Sequence, residues 1–147
     1  MIANQRYLVP SSGTAFFNRV VAGLTRAGIS VMGSRVLAVR GRTSGQWRTT
    51  PVNLLTVDGE RYLVAPRGHT QWVRNLRASG TGELRVGRRT ETFTATELTD
   101  AAKPVVIREY LRRWAWEVGA FFEGVDKSST DETLLAVAPG FPVFRIS

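Results

Sequence analysis

Two short stretches carry residue types suited to holding an anion. The first is Gly41-Arg42-Thr43-Ser44-Gly45-Gln46-Trp47-Arg48-Thr49-Thr50-Pro51. Glycines bracket two hydroxyls, and arginines flank the turn on both sides. Glycines let backbone N–H groups approach an oxyanion closely, and hydroxyls add donors. Guanidinium groups bind phosphate or carboxylate through a planar fork. The stretch is not a P-loop, because no Gly-Lys-Ser/Thr follows at the required spacing. A plain hairpin loop fits the same residues nearly as well. The second stretch is Ala65-Pro66-Arg67-Gly68-His69, followed by Trp72 and Asn75. Arg67 and Gly68 fall at a strand-to-helix junction, where a helix start offers unpaired N–H groups and a positive dipole end. Two such loops joined by a hairpin could clamp one extended anion.

Other chemistries are excluded by composition. The chain has no cysteine and one histidine, His69. Disulfides, thiolate metal ligands, cysteine nucleophiles and multi-histidine metal sites are therefore out, and no metal is expected. A serine–histidine triad would have to use that one imidazole. The 147 residues hold 20 basic and 12 acidic side chains, a net charge of +8. The charge is uneven: residues 35–90 contain eleven arginines and three acids, Asp58, Glu60 and Glu83. A field concentrated in this way draws in anionic ligands. Nucleic acid, anionic lipid, and a phosphorylated or polycarboxylate cofactor all satisfy it, as does a solvated surface with no ligand.

The elements that must position these loops follow from periodicity. Thr14–Ile29 reads as a short helix with Phe17, Val20, Val21 and Leu24 on one side. It packs on a core or, as a basic amphipathic helix, touches a membrane surface. Arg35–Arg40 and Trp47–Val57 read as strands around the Gly41–Gly45 loop. Pro51 inside a strand implies an edge, a bulge or a barrel corner. Asp58-Gly59 is a two-residue hairpin signal leading into Arg61–Ala65. Thr70–Ala78 reads as a helix with Thr70 as its cap. Gly82–Val86 and Thr90–Glu97 form a second hairpin. Thr99–Phe122 is the longest helical stretch, with Pro104 near its start. Asp131–Ala138 is a further helical turn or two, and Phe141–Ile146 is a last strand. About six antiparallel strands with few helices predict a mainly β fold, a small barrel with outer helices, as one domain over residues 1–147. No apolar run reaches the ~18–20 residues that span a bilayer, and no signal peptide is evident, so a cytoplasmic protein is expected.

Taken in order, GRTSGQWRTTP, a hairpin, an A-x-R-G loop and W-x-x-N-L resemble the deazaflavin-dependent nitroreductases of actinobacteria. The resemblance is best over residues 30–100. It implies a split β-barrel like that of the flavin-mononucleotide-binding oxidases, and coenzyme F420, a deazaflavin with a phosphate and a polyglutamate tail. It places Arg42, Thr43, Ser44, Gly45, Gln46 and Arg48 at the phosphate and tail, and Pro51 beside the ring. Thr43 stands where many members carry lysine, a contact that Arg42 would supply. Ala65, Pro66, Arg67 and Gly68 correspond to the second cofactor loop, and Trp72 and Asn75 to the short helix beside it. The loop between Gly68 and Trp72 is shorter than in typical members, and Val73 replaces an aromatic.

The implied reaction is hydride transfer from reduced F420 to a small electron-poor acceptor: a quinone, nitroaromatic or enone. Such an enzyme needs no nucleophile or metal, because the cofactor does the chemistry. Trp72 and Trp114 are expected to build the substrate wall, with Tyr110 nearby and Phe16 or Phe17 closing the mouth. No catalytic side chain is assigned. His69 is the one imidazole, and the proton is expected from solvent. The alternatives are a flavin-mononucleotide reductase on the same fold, a non-catalytic F420 carrier, and a basic barrel that binds nucleic acid, which would need aromatics interleaved with arginine on one strand face. A monomer or a homodimer would serve.

Overall fold

The alternating strands of the sequence close on themselves. The structure, a computed structural model, describes residues 34–118, 121, 122 and 124–147. The helix expected over Thr14–Ile29, with Phe16 and Phe17, lies outside the described residues. The described elements are β1 (Ser34–Arg40), β2 (Trp47–Val57), β3 (Glu60–Val64), α1 (Gln71–Ser79), β4 (Thr81–Val86), β5 (Arg89–Glu97), α2 (Pro104–Val118), α3 (Asp131–Val137) and β6 (Val143–Ile146). Short 3-10 turns occupy Asp100–Ala102 and Ala138–Gly140. The strands form a closed antiparallel barrel in the order β1-β2-β3-β6-β5-β4. Closure leaves no long sheet edge to solvent. Among the described residues, no helix is long and apolar enough to cross a membrane.

The Asp58-Gly59 turn forms as its residues require. Asp58 has φ 50° and Gly59 φ 80°, the left-handed pair of a two-residue hairpin loop. Pro51 is explained by a change of neighbour within β2. Residues 47–53 pair with β1, whereas residues 54–57 pair with β3. At Pro51 the strand therefore has a partner on one side only, and the missing N–H costs no ladder bond there.

Two apolar clusters follow from strand alternation. Leu37, Val39, Leu63, Leu84, Phe93, Phe144 and Ile146 are buried together with Val73 and Leu76 of α1. Only the barrel interior can gather alternate residues from strands all round the ring, so α1 plugs one of its mouths. The second cluster joins Leu55, Val64 and Val143 of the strands to Ile107, Leu111 and Trp114 of α2 and Leu134 of α3. It covers the outer face of the barrel with helices. Each fully buried Leu, Ile or Phe contributes about 1.5–3 kcal/mol.

The helix expected over Thr99–Phe122 is corrected at both ends. Thr99 precedes the Asp100–Ala102 turn, and α2 begins only at Pro104, which needs no N–H at a first helical position. The helix ends at Val118, and Trp114 inside it has φ −129° and ψ 18°, a kink. Buried Lys103 ties this junction to the Ala138–Gly140 turn: its Nζ lies 2.7 Å from Asp100 Oδ1 and donates to the Ala138 carbonyl at 3.0 Å. The short helix starts where expected, with Thr70 in the capping position, but the Thr70 hydroxyl makes no capping bond. Its buried Oγ1 has no hydrogen-bond partner among the described residues.

Candidate cofactor site

The first loop is held shut by its own backbone. Gly41 N–H donates to Gln46 O at 2.8 Å, and Gly45 N–H to Gly41 O at 2.9 Å. Ser44 Oγ accepts from Gln46 N–H at 3.2 Å, and Arg40 Nη1 donates to Gly45 O at 3.0 Å. Thr43, Ser44, Gly45, Gln46 and Arg48 are all exposed. The Thr43 hydroxyl and the Arg48 guanidinium make no hydrogen bond or ion pair with the described residues. The loop thus presents the Thr43 and Ser44 side chains, the Gln46 side-chain amide and the Arg48 cation outward.

Arg42 joins the first loop to α1. Its backbone N–H donates to Asn75 Oδ1 at 3.1 Å, and its Nη1 donates to the same oxygen at 2.8 Å and to Gln71 Oε1 at 2.9 Å. The side chain is turned onto α1 rather than out past Thr43. Asn75 is only 5% exposed.

The second loop leads into the same helix. Gly68 N–H donates to Ala65 O at 3.1 Å, and Thr70 N–H to Gly68 O at 2.9 Å. Ala65 is enclosed in the barrel core, and its N–H donates to Pro142 O at 2.9 Å. Its place is in the packing of the loop. Pro66 and Arg67 are half-buried, and the Arg67 guanidinium stacks over Phe121, 5.3 Å from the ring centroid. The first turn of α1 contains no acidic residue, so its positive end is not neutralised locally. Because Arg42 bonds to Gln71 and Asn75, the two loops meet at the N-terminal half of α1.

His69 is anchored on both sides. Nε2 lies 3.0 Å from Pro139 O, and Nδ1 lies 3.0 Å from Arg77 Nη1. Arg77 in turn forks onto Glu97 at 2.7 and 2.6 Å. Those hydrogen bonds raise the Arg77 pKa further, with burial opposing. Arg77 is a donor only, so His69 Nδ1 accepts and Nε2–H donates to the carbonyl.

Other expected site residues are not brought together. Along β2 side chains alternate between faces, and Val52 and Leu54 pack toward the barrel interior while Leu55 and Val57 join the outer cluster. Arg48 and Pro51 therefore lie on opposite faces of β2. Trp72 is half-buried with its ring 6.0 Å from Phe144. Trp114 and Tyr110 belong to the outer cluster, 0% and 2% exposed, with rings 5.2 Å apart. Of the residues expected to build the substrate wall, Trp114 and Tyr110 are buried in the outer cluster, and Trp72 packs in the other cluster. Sequence reading missed Phe121, whose contact with Arg67 joins residues 54 positions apart in the chain. It also missed the cover on Trp47, an exposed ring with the guanidinium groups of Arg40 and Arg85 at 4.3 and 5.2 Å.

Barrel and loops together define a class, the split β-barrel proteins. Solved structures agree on the fold. One described as a domain-swapped dimer aligns with TM-score 0.56 at 18% identity, over 88% of this chain and 92% of that one. An F420-H2 dependent reductase, FDR-A, aligns with TM-score 0.52 at 18% identity, over 78% and 94%. A protein of unknown function from Agrobacterium tumefaciens aligns with TM-score 0.58 at 17% identity, over 95% of this chain and 56% of that one. No curated protein sequence matches. A family model for F420H(2)-dependent quinone reductase matches residues 14–130, and the chain belongs to that family. It is an F420-dependent oxidoreductase.

Proposed function

We propose that the 41–46 loop and the start of α1 hold the phosphate and carboxylate tail of F420, and that the bound cofactor reduces a flat, electron-poor acceptor. The donor set fits such a tail: the Thr43 and Ser44 hydroxyls, the exposed Gln46 side-chain amide and the Arg48 guanidinium. The observation that carries the reading is the joining of the two loops by Arg42 on Asn75 and Gln71. It sets the outward donors of the first loop beside the positive end of α1, with Arg67 on the approach. When bound, F420H2 supplies the hydride. This chain's residues bind and orient; the proton comes from solvent, because both nitrogens of His69 are committed.

The family description supports a quinone as acceptor; nitroaromatics and enones share its electron-poor, planar chemistry. Titration by fluorescence quenching tests the cofactor. F420 is expected to bind more tightly than flavin mononucleotide, a longer tail to bind more tightly than a shorter one, and added salt to weaken binding through screening. Equal affinity with and without the tail overturns the anion clamp. Turnover of the three acceptor types with F420H2 ranks them, and no turnover of any overturns the acceptor reading. The neighbour described as a domain-swapped dimer supports a homodimer, which light scattering measures directly.

A further inference from the structure

We propose that Asn75 is a positioning residue for cofactor binding: acting through Arg42, its Oδ1 fixes the 41–46 loop against α1. The inference rests on the tail site proposed above. An amide oxygen has two lone pairs. Both of those on Asn75 Oδ1 are taken by Arg42, one by the backbone N–H at 3.1 Å and one by Nη1 at 2.8 Å. With the residue only 5% exposed, that oxygen has no capacity left for a ligand or for water.

The loop's internal bonds, Gly41 to Gln46 and Gly45 to Gly41, close the loop but do not place it on the barrel. The bonds from Arg42 cross to another element, 33 residues away in sequence. Asn75 holds a backbone amide as well as a side chain. It therefore sets the direction of the chain at Arg42, and with it the direction in which the next residues, Thr43 and Ser44, present their donors. Gln71, one turn earlier on α1 and exposed, accepts from the same Arg42 Nη1 at 2.9 Å. A ligand-binding loop on a rigid helix gains precision from such buried supports.

The test is a double-mutant cycle read by cofactor titration of the full chain. Asn75→Ala, Arg42→Ala, the double variant and Asn75→Asp are each titrated with tail-bearing F420 and with the phosphate-free deazaflavin that lacks the tail. Each single alanine variant is expected to bind tail-bearing F420 about tenfold more weakly, as for a lost hydrogen-bonded support. The double variant is expected to be no weaker than the worse single one, and tail-less affinity to be unchanged. Asn75→Asp keeps the acceptor for Arg42 and is expected to retain most of the affinity.

Losses that multiply in the double variant, or wild-type affinity in Asn75→Ala, overturn the proposal. So does a parallel loss for the tail-less ligand, which marks a general folding role. If Asn75→Ala does not fold, Asn75→Asp and Arg42→Ala decide. Arg42→Ala removes the side-chain half of the contact and leaves the backbone N–H bond to Asn75. Wild-type affinity in Asn75→Asp with a loss in Arg42→Ala for the tail-bearing ligand alone supports the proposal, and no loss in Arg42→Ala overturns it. Arg48→Ala separates the two levels of inference. A loss in Arg48→Ala alone leaves the tail site standing and refutes the role of Asn75. No loss in any variant refutes the tail site itself.

Discussion

His69 Nδ1 accepts a hydrogen bond from Arg77 Nη1 at 3.0 Å, and the far side of the same ring is held by Pro139. The imidazole thus bridges the second loop, α1 and the segment before β6. Replacing it with alanine leaves the Pro139 carbonyl without its donor and Arg77 with one partner fewer. His69→Ala is expected to lower stability by about 1–3 kcal/mol, measured by thermal unfolding, and to slow hydride transfer less than tenfold in single turnover. A general acid is worth roughly 10²–10⁴-fold. A loss of that size with cofactor affinity intact would make His69 the proton donor.

Arg48 is exposed beside the first loop and makes no ion pair with the described residues. Arg48→Ala is expected to weaken F420 binding by about 1.5–3 kcal/mol, the range for hydrogen bonds to charged groups. Arg88 is the control. Val36 pairs with Arg85 at one end of β1, whereas the first loop follows Arg40 at the other end. The turn at Arg88 therefore lies at the opposite mouth, and Arg88→Ala should leave the dissociation constant unchanged. Equal effects from the two variants would mean that net charge, not position, governs binding.

The sequence made the strands, both hairpins and the positions of the two loops legible, because each is signalled within a few residues. Asp58-Gly59 and the alternation of Arg61–Ala65 needed no distant information. Pro51 signalled an edge, a bulge or a corner, and it falls where β2 is paired on one side only, just before its change of neighbour. The pairing of Arg42 with Asn75 was not legible, since nothing local says which way an arginine turns. The aromatics of α2 misled for a related reason. An apolar stripe at helical spacing looks the same whether it faces a pocket or a core, and Tyr110 and Trp114 face the core. The residue roles at the cofactor loops came from family resemblance and await the titrations above.

Glu91 sits at the other mouth, where Arg61 grips it at 2.8 and 2.6 Å. Those hydrogen bonds hold the Glu91 pKa below the ordinary carboxylate range, with burial opposing and the charges of Arg61 and Arg35 assisting. A depressed folded-state pKa contributes stability above the unfolded value, about 4.3 for glutamate, and the contribution is lost as pH falls through the folded value. Both side chains are well solvated, 29% and 51% exposed, so the pair is worth about 0.2–1 kcal/mol. Glu91→Gln is expected to melt slightly lower than wild type at pH 7, with the gap closing as pH falls through the folded-state value. A gap that stays constant down to pH 2 would assign it to packing instead.

Gly82 faces Phe93 across the β4–β5 pair. A Cβ there would stand 2.8 Å from the Phe93 ring and 3.0 Å from the Ala38 carbonyl. Gly82→Ala is expected to cost about 1–3 kcal/mol by overpacking the barrel. Combining it with Phe93→Leu should recover part of that loss, since the smaller side chain vacates the contested space. Urea melts of the three variants check this; strict additivity would show that the two residues do not compete.

The barrel ring is completed by β6, which lies between β3 and β5 and follows both in sequence. Beyond it, Ser147 and Thr94 exchange backbone bonds at 2.9 and 3.0 Å. During synthesis, β3 and β5 therefore leave the ribosome with bare edges and wait for a partner made later. A polypeptide halted before Val143 keeps both edges exposed, the condition that favours strand pairing between neighbouring chains. Loss of β6 thus opens a closed ring into two adhesive borders.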